Sequence, residues 1–271
     1  MTTLTLTSDY AAIRQRIALE QALTRQAELI LSMLGTSLPA LIRPHVVLQD
    51  TAETASTDAK CYIYMPLEFD GIPTMKPEFS WARTALLAHE LGHWLQPCDQ
   101  IDQVTEDTGL DPDFVNVVMD VQGEALIASL LPYYNKHLTE LREHVGQQNR
   151  GDYAKYAKEA AADDKFLGAA MPLALIGRYV ISPDLPFFEA YDVVRLYEKM
   201  WAYGAGDKAG DRMQELLERV SLAAEIKAIE LPDFLRKIAQ DFPELCNQQA
   251  ACPFPVFGHG GSPNSSALQK F

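Results

Sequence analysis

The fold of this chain is constrained most by residues 84–97, TALLAHELGHWLQP, because they place three ionisable side chains inside an otherwise uncharged run. His89 and His93 are four residues apart, so on a helix they project from one face, one turn apart. Glu90 projects about 100° away from His89. Burying such groups costs free energy unless something satisfies them. The pattern therefore predicts a buried helix whose three polar side chains belong to one site.

The spacing of these residues is H-E-x-x-H, which is typical of zinc peptidases. Imidazole nitrogen is a preferred zinc ligand, and a tetrahedral site accepts two histidines at this spacing. We expect His89 and His93 to bind Zn²⁺ and Glu90 to act as the catalytic base on a zinc-bound water. The alternative is a pair of core histidines that bond to backbone or carboxylate groups.

A catalytic zinc usually has three protein ligands and one open position, so a third ligand must come from elsewhere. The segment NVVMDVQGEAL offers Asn116, Asp120 and Glu124, spaced by four through an apolar run. We expect Asp120 to be the third ligand. Glu124 is the alternative, either as a ligand or as a group that orients a histidine from outside the coordination sphere. A solvated helix stripe would also explain Asn116 and Glu124.

Asp99 is a rival third ligand, because it stands six residues after His93, as the third ligand does in metzincins. In that pattern a glycine at position 96 turns the chain back towards the metal. Here the position holds Gln96, followed by Pro97. Without the glycine the turn is difficult, which disfavours Asp99.

The rest of the chain predicts helices around a small sheet. Residues 8–34 form an amphipathic pattern, and residues 45–50 and 60–69 read as strands joined by a hairpin or surface loop. Ser80 is a candidate cap for the motif helix, residues 81–96, which ends at Pro97.

The polar stretch 96–113 reads as a loop, and a second apolar helix starts at Asp111 or Asp113 and ends before Pro132. The order of elements favours an α+β, zincin-like fold, with a small, mostly antiparallel sheet on the H-E-x-x-H helix. We expect a metallopeptidase domain over residues 1–150. A helical extension over 151–245 and a flexible tail over 246–271 would follow.

Two flanking motifs resemble a known family. The segment STDAKCYIYMPLEF before the motif and FVNVVMDVQGEA after it are similar to the N-terminal metallopeptidase domain of bacterial VWA-like (von Willebrand A-like) proteins. The matching positions are Thr57, Asp58, Lys60, His89, Glu90, His93, Asn116 and Asp120. The family usually has glycine where this chain has Ala59. The resemblance covers roughly residues 40–130 and implies a zinc peptidase that works beside an AAA+ ATPase or a VWA-domain protein.

Composition limits the partners. The formal net charge of −14 argues against nucleic acids and anionic membranes, which an acidic surface repels. The four cysteines, Cys61, Cys98, Cys246 and Cys252, suggest no disulfide framework, and the N-terminus does not read as a signal peptide. We expect a cytoplasmic protein that acts on a protein or peptide.

The sequence leaves several further functional roles open. Zincins commonly bind substrate along an edge strand, for which residues 60–66 are the candidate. Cys252 and His259 could cap an open zinc, although a free tail is the simpler reading. A competing function is a non-catalytic, zinc-containing interaction module. Candidate oxyanion donors after the second helix are Tyr133, Tyr134, His137, His144, Tyr153 and Tyr156.

Overall fold

The structure is a computed structural model, and it describes residues 3–34, 43–50, 52, 54–148 and 211–248. This part of the chain is α+β and mostly helical, as the sequence predicts. Its helices are α1 (Thr3–Met33), α2 (Ser80–Trp94), α3 (Cys98–Thr108), α4 (Pro112–Leu130), α5 (Pro132–Gln148), α6 (Asp211–Ser221) and α7 (Leu231–Asp241). Its strands are β1 (His45–Gln49), β2 (Ser56–Thr57) and β3 (Tyr62–Pro66).

The sheet has the strand order β1-β3-β2 and is mixed. β1 and β3 are parallel over five residue pairs, and only the short β2 is antiparallel to β3. The prediction of a mostly antiparallel sheet is therefore wrong. The chain between β1 and β3 contains β2. This short strand pairs antiparallel with β3, whereas in a hairpin β1 itself would be the antiparallel partner of β3. The expectation of an edge strand at residues 60–66 is also wrong, because β3 is central.

Side chains of α1 cover the outer edge of β1. Thr24 Oγ1 accepts a hydrogen bond from the Val46 amide at 3.0 Å, and Glu20 Oε1 accepts one from the Leu48 amide at 2.9 Å. The Arg16 guanidinium donates to the Leu48 carbonyl oxygen. Residues four apart on a helix rise about 6 Å, close to the ~6.6 Å between alternate strand residues. The helix thus satisfies a strand edge that would otherwise pair with another chain.

Helices α2 and α4 pack closely against each other. A Cβ built on Gly92 would lie 3.0 Å from the Gly123 carbonyl carbon, and one on Gly123 would lie 3.2 Å from the Gly92 backbone. The two glycines therefore permit an approach that larger residues would prevent. Both helices are apolar and largely buried, so the contact lies in the core.

The starts of these two helices differ from each other. Of the two predicted starts, Asp111 caps α4, because its Oδ1 accepts hydrogen bonds from the amides of Asp113 and Phe114. Ser80 does not cap α2, which corrects the prediction. A 3₁₀ turn, Pro77–Phe79, leads directly into α2, so Ser80 is already helical.

The stretch 96–113 is not simply a loop, because it contains α3. Ile101 and Val104, three residues apart, are buried and supply the apolar face of this short helix. Gly109 ends it in the left-handed region at φ 69°. The many acidic residues on its other face hid this pattern in the sequence.

The described C-terminal helices pack against the N-terminal part of the chain. α7 contacts α3, and the 3₁₀ segment Leu222–Glu225 contacts α4. The proposed domain boundary at 150 and the tail from 249 onwards lie outside the described residues. Among the helices described, none combines the length and apolar character that crossing a membrane requires.

Candidate metal centre

The predicted ligand residues lie deep inside the protein. α2 supplies His89 and His93, which are 3% and 4% exposed, and α4 supplies Asp120, which is 0% exposed. Glu90, next to His89, is also fully buried. Four ionisable groups are thus removed from water in one place, which is costly unless they compensate one another or bind an ion.

The three predicted ligands converge. Asp120 Oδ1 lies 2.9 Å from His93 Nε2 and 3.5 Å from His89 Nε2. The two imidazole rings are nearly perpendicular, with centroids 5.0 Å apart. One donor atom from each of the three residues lies within 4.8 Å of the other two. The fold therefore brings together the group that the sequence selects.

Glu124 lies on the opposite side of the His89 ring from Asp120. Its Oε1 is 2.8 Å from His89 Nδ1, and a carboxylate oxygen can only accept, so Nδ1 carries the proton. This hydrogen bond fixes the ring and directs Nε2 towards Asp120. The geometry gives Asp120 the position of a ligand and gives Glu124 the position of an orienting group.

Gln96 makes the matching contact to His93, at 3.1 Å between Oε1 and Nδ1. In the sequence Gln96 stands out only as the residue in the place of the metzincin glycine, so its contact with His93 is not predicted. A usable signal was present, because Gln96 follows His93 by three residues and residues three apart share a helix face. Both histidines are thus held at Nδ1, with Nε2 directed inwards.

The site is electrostatically negative around His93. Burial opposes a charge on this ring, but the hydrogen bond to Asp120 and the charges of Asp120 and Glu90 outweigh burial and raise the pKa of His93 to about 9. The same carboxylates would stabilise a metal cation among these side chains.

Glu90 lies beside the three converging residues. Its Oε1 is 3.9 Å from His89 Nε2, beyond hydrogen-bond distance. The carboxylate is therefore near the point where the imidazole nitrogens converge, while Asp120 makes the closer contacts.

Asp99 does not join the group. Its side chain is 81% exposed and forms a surface ion pair with Lys60, at 3.2 Å. Asn116 lies one turn before Asp120 on α4 and is partly buried. The exposed position of Asp99 agrees with the expectation that this residue is not a metal ligand.

The T-D-x-K residues form the turn that starts β3. Asp58 Oδ1 accepts hydrogen bonds from the amides of Lys60, Cys61 and Tyr62, at 2.7–2.9 Å. Ala59 sits in the left-handed region at φ 52°, which glycine adopts more readily. Alanine is therefore held in a backbone conformation that its Cβ disfavours.

The candidate oxyanion donors that are described make other contacts. Tyr134 is buried in the core, and Tyr133 is exposed. His137 Nδ1 lies 3.1 Å from Glu140, and His144 Nε2 lies 3.2 Å from the Asp70 carbonyl oxygen. An oxyanion role for any of them remains a prediction. Tyr153, Tyr156, Cys252 and His259 lie outside the described residues.

The donor set fits zinc. Two imidazole nitrogens and one carboxylate oxygen are among the common ligands of a catalytic zinc, and both rings have the outer hydrogen bond that such ligands usually make. His89, His93 and Asp120 would hold the ion.

Comparisons of the chain with protein-family models, with curated proteins and with solved structures found no match. A function for this chain must therefore come from the chemistry of its own side chains.

Proposed function

We propose that the protein is a zinc-dependent peptidase. The observation that supports this most is the convergence of His89, His93 and Asp120, with the Glu90 carboxylate beside them. A metal site alone needs no such carboxylate. A hydrolase does, because water must lose a proton as it attacks.

Zinc, when bound, supplies Lewis acidity that polarises a peptide carbonyl and makes water acidic enough to attack near neutral pH. The protein's part is to hold three ligands in place. His89 and His93 keep Nε2 available because Glu124 and Gln96 engage the Nδ1 atoms. Asp120, from a different helix, ties α4 to the same point.

Glu90 is the proton carrier in this proposal. It accepts a proton from the attacking water and returns that proton to the leaving amine nitrogen as the peptide bond breaks. Its burial favours the role, because a desolvated carboxylate is a stronger base than one in water.

The test replaces Glu90 with Gln, which keeps size and removes the base. Zinc content and cleavage of an unfolded protein or a peptide library are measured for the wild type, Glu90→Gln and His89→Ala. We expect Glu90→Gln to retain zinc and lose turnover, and His89→Ala to lose both. Cleavage by Glu90→Gln at the wild-type rate would overturn the mechanism.

A second candidate is a non-catalytic zinc module that binds a protein partner, such as the AAA+ ATPase or VWA-domain protein that the resemblance implies. One observation favours it, because the three ligand residues and Glu90 are all under 5% exposed. Cobalt substitution separates the two functions. A spectrum that changes when a hydroxamate is added supports the peptidase, and an unresponsive one supports the closed module.

A further inference from the structure

Three hydrogen bonds in series connect His93 to the C-terminal part of the chain through two buried glutamines, and a fourth connects the first glutamine to the α4 backbone. His93 Nδ1 contacts Gln96 Oε1, and Gln96 Nε2 donates to Gln122 Oε1 at 2.8 Å and to the Met119 carbonyl oxygen at 2.7 Å. Gln122 Nε2 then donates to the carbonyl oxygen of Ile226 at 3.4 Å. Gln96 and Gln122 are 6% and 1% exposed.

The direction of these bonds is fixed at two points. The carbonyl oxygens of Met119 and Ile226 can only accept, so each must face the NH₂ group of its glutamine. The side-chain oxygen of Gln96 is therefore left for His93, whose Nδ1 must donate. Reversing either amide would set like groups against each other in the core, which is costly.

We propose that Gln96 and Gln122 form an amide relay that positions His93 for metal binding and connects this ligand to the segment around Ile226. The proposal rests on the metal site of the proposed function and adds two positioning residues to it. Gln96 occupies the place where metzincins have a glycine. The same residue therefore disfavours Asp99 as a ligand and orients the proposed ligand His93.

The two histidines are then held by different means. Glu124 engages His89 with a carboxylate, while Gln96 engages His93 with a neutral amide. Three buried acidic residues, Glu90, Asp120 and Glu124, already surround the histidines. An amide orients the His93 ring without adding a further negative charge. Its NH₂ group also donates to the Met119 carbonyl oxygen of α4.

Tight packing maintains the relay. A Cβ on Gly123 would lie 3.2 Å from Gln96 Nε2, so the Gln96 side chain is pressed against the glycine between α2 and α4. The 3₁₀ segment Leu222–Glu225 packs on α4 next to Ile226. A shift of that segment would reach His93 through Gln122 and Gln96.

The test measures zinc dissociation constants by chelator competition in the full chain, alongside unfolding temperatures. Gln96→Met removes the acceptor at nearly constant length, and Gln122→Met cuts the relay one step further away. Gln26→Met is the matched control, because Gln26 is a partly buried glutamine that bridges α1 to Thr84 of α2, away from the relay.

We expect Gln96→Met to weaken zinc binding about 10–100-fold, the usual effect of losing a ligand's outer hydrogen bond. Gln122→Met should weaken it less but measurably, and Gln26→Met should leave it unchanged even where it lowers the unfolding temperature. If Gln96→Met does not fold, Gln122→Met against Gln26→Met decides. Equal zinc affinity in the relay and control variants overturns the relay alone, whereas no zinc binding by the wild type overturns the metal site as well.

Discussion

Gly92 and Gly123 meet between α2 and α4, so closely that a Cβ on either would lie 3.0–3.2 Å from the backbone of the other. The contact lies between two side-chain pairs, since His93 faces Asp120 and His89 faces Glu124 across the same two helices. The order of these pairs shows that the helices run antiparallel. The distance between the helices therefore sets the distance between the proposed ligands on α2 and Asp120 on α4.

Gly123→Ala should push the helices apart. Overpacking of a core costs about 1–3 kcal/mol, and the better helix propensity of alanine returns up to about 1 kcal/mol. We expect a net loss of roughly 1–2 kcal/mol in the free energy of unfolding, with weaker zinc binding. Chemical denaturation and zinc titration test both, with Ser129→Ala on the exposed side of α4 as the control. A variant with wild-type zinc affinity would contradict the link between helix spacing and the site.

Asp120→Asn and Glu124→Gln should differ in severity. Asp120 contacts both Nε2 atoms, whereas Glu124 contacts only Nδ1 of His89. Asp120→Asn removes a charged ligand, so zinc binding should fall below detection. Glu124→Gln keeps an acceptor for Nδ1, so the loss should be about 10–100-fold at most. The reverse order of severity would make Glu124 the ligand.

Zinc binding should strengthen as pH rises towards 9. The raised pKa of His93 means that the metal-free ring is protonated at pH 7, and zinc must displace this proton. Each pH unit well below the pKa costs a factor of about 10 and half of the rings are neutral at the pKa, so affinity should rise roughly 50-fold between pH 7 and 9. Competition with a chelator of known proton affinity measures this. A flat profile above pH 7 would show that His93 is already neutral.

Ala59→Gly should stabilise the protein. A left-handed backbone costs alanine about 1–2 kcal/mol, and glycine recovers most of this while losing about 0.5–1 kcal/mol of chain entropy. We expect a gain of about 0.5–1 kcal/mol in the free energy of unfolding. Ala22→Gly, in an exposed part of α1, is the opposite control and should destabilise by a similar amount. A loss of stability in both variants would contradict the assigned backbone conformation.

The candidate site could be selected from the sequence because its residues follow helical periodicity. His89 and His93 are four apart on one helix, and Asp120 and Glu124 are four apart on the next. A polar stripe on an apolar, buried helix needs polar partners in the core. Two such helices can supply them to each other by packing with their polar stripes in contact. Which acid faces which nitrogen depends on how the helices pack, and one chain's periodicity does not contain that information.

Other features of the fold are set by contacts between distant segments. Strand direction was mispredicted because alternating apolar residues suit a parallel and an antiparallel partner equally. The acidic residues of α3 hide its short apolar face, and the partner of that face, α7, lies more than a hundred residues later. The spacing of Gln96 and His93 is visible in the sequence, but the contacts of Gln96 with Gln122 and Met119 of α4 depend on how the two helices pack.

Zinc K-edge X-ray absorption on the purified, zinc-loaded wild-type chain tests the proposed ligand set most directly. We expect a shell of two imidazole nitrogens at about 2.0–2.1 Å, completed by oxygen at about 2.0–2.2 Å. A sulfur shell at about 2.3 Å would contradict it, because a cysteine would then bind the metal in place of His89, His93 and Asp120. A spectrum without imidazole scattering would contradict it equally.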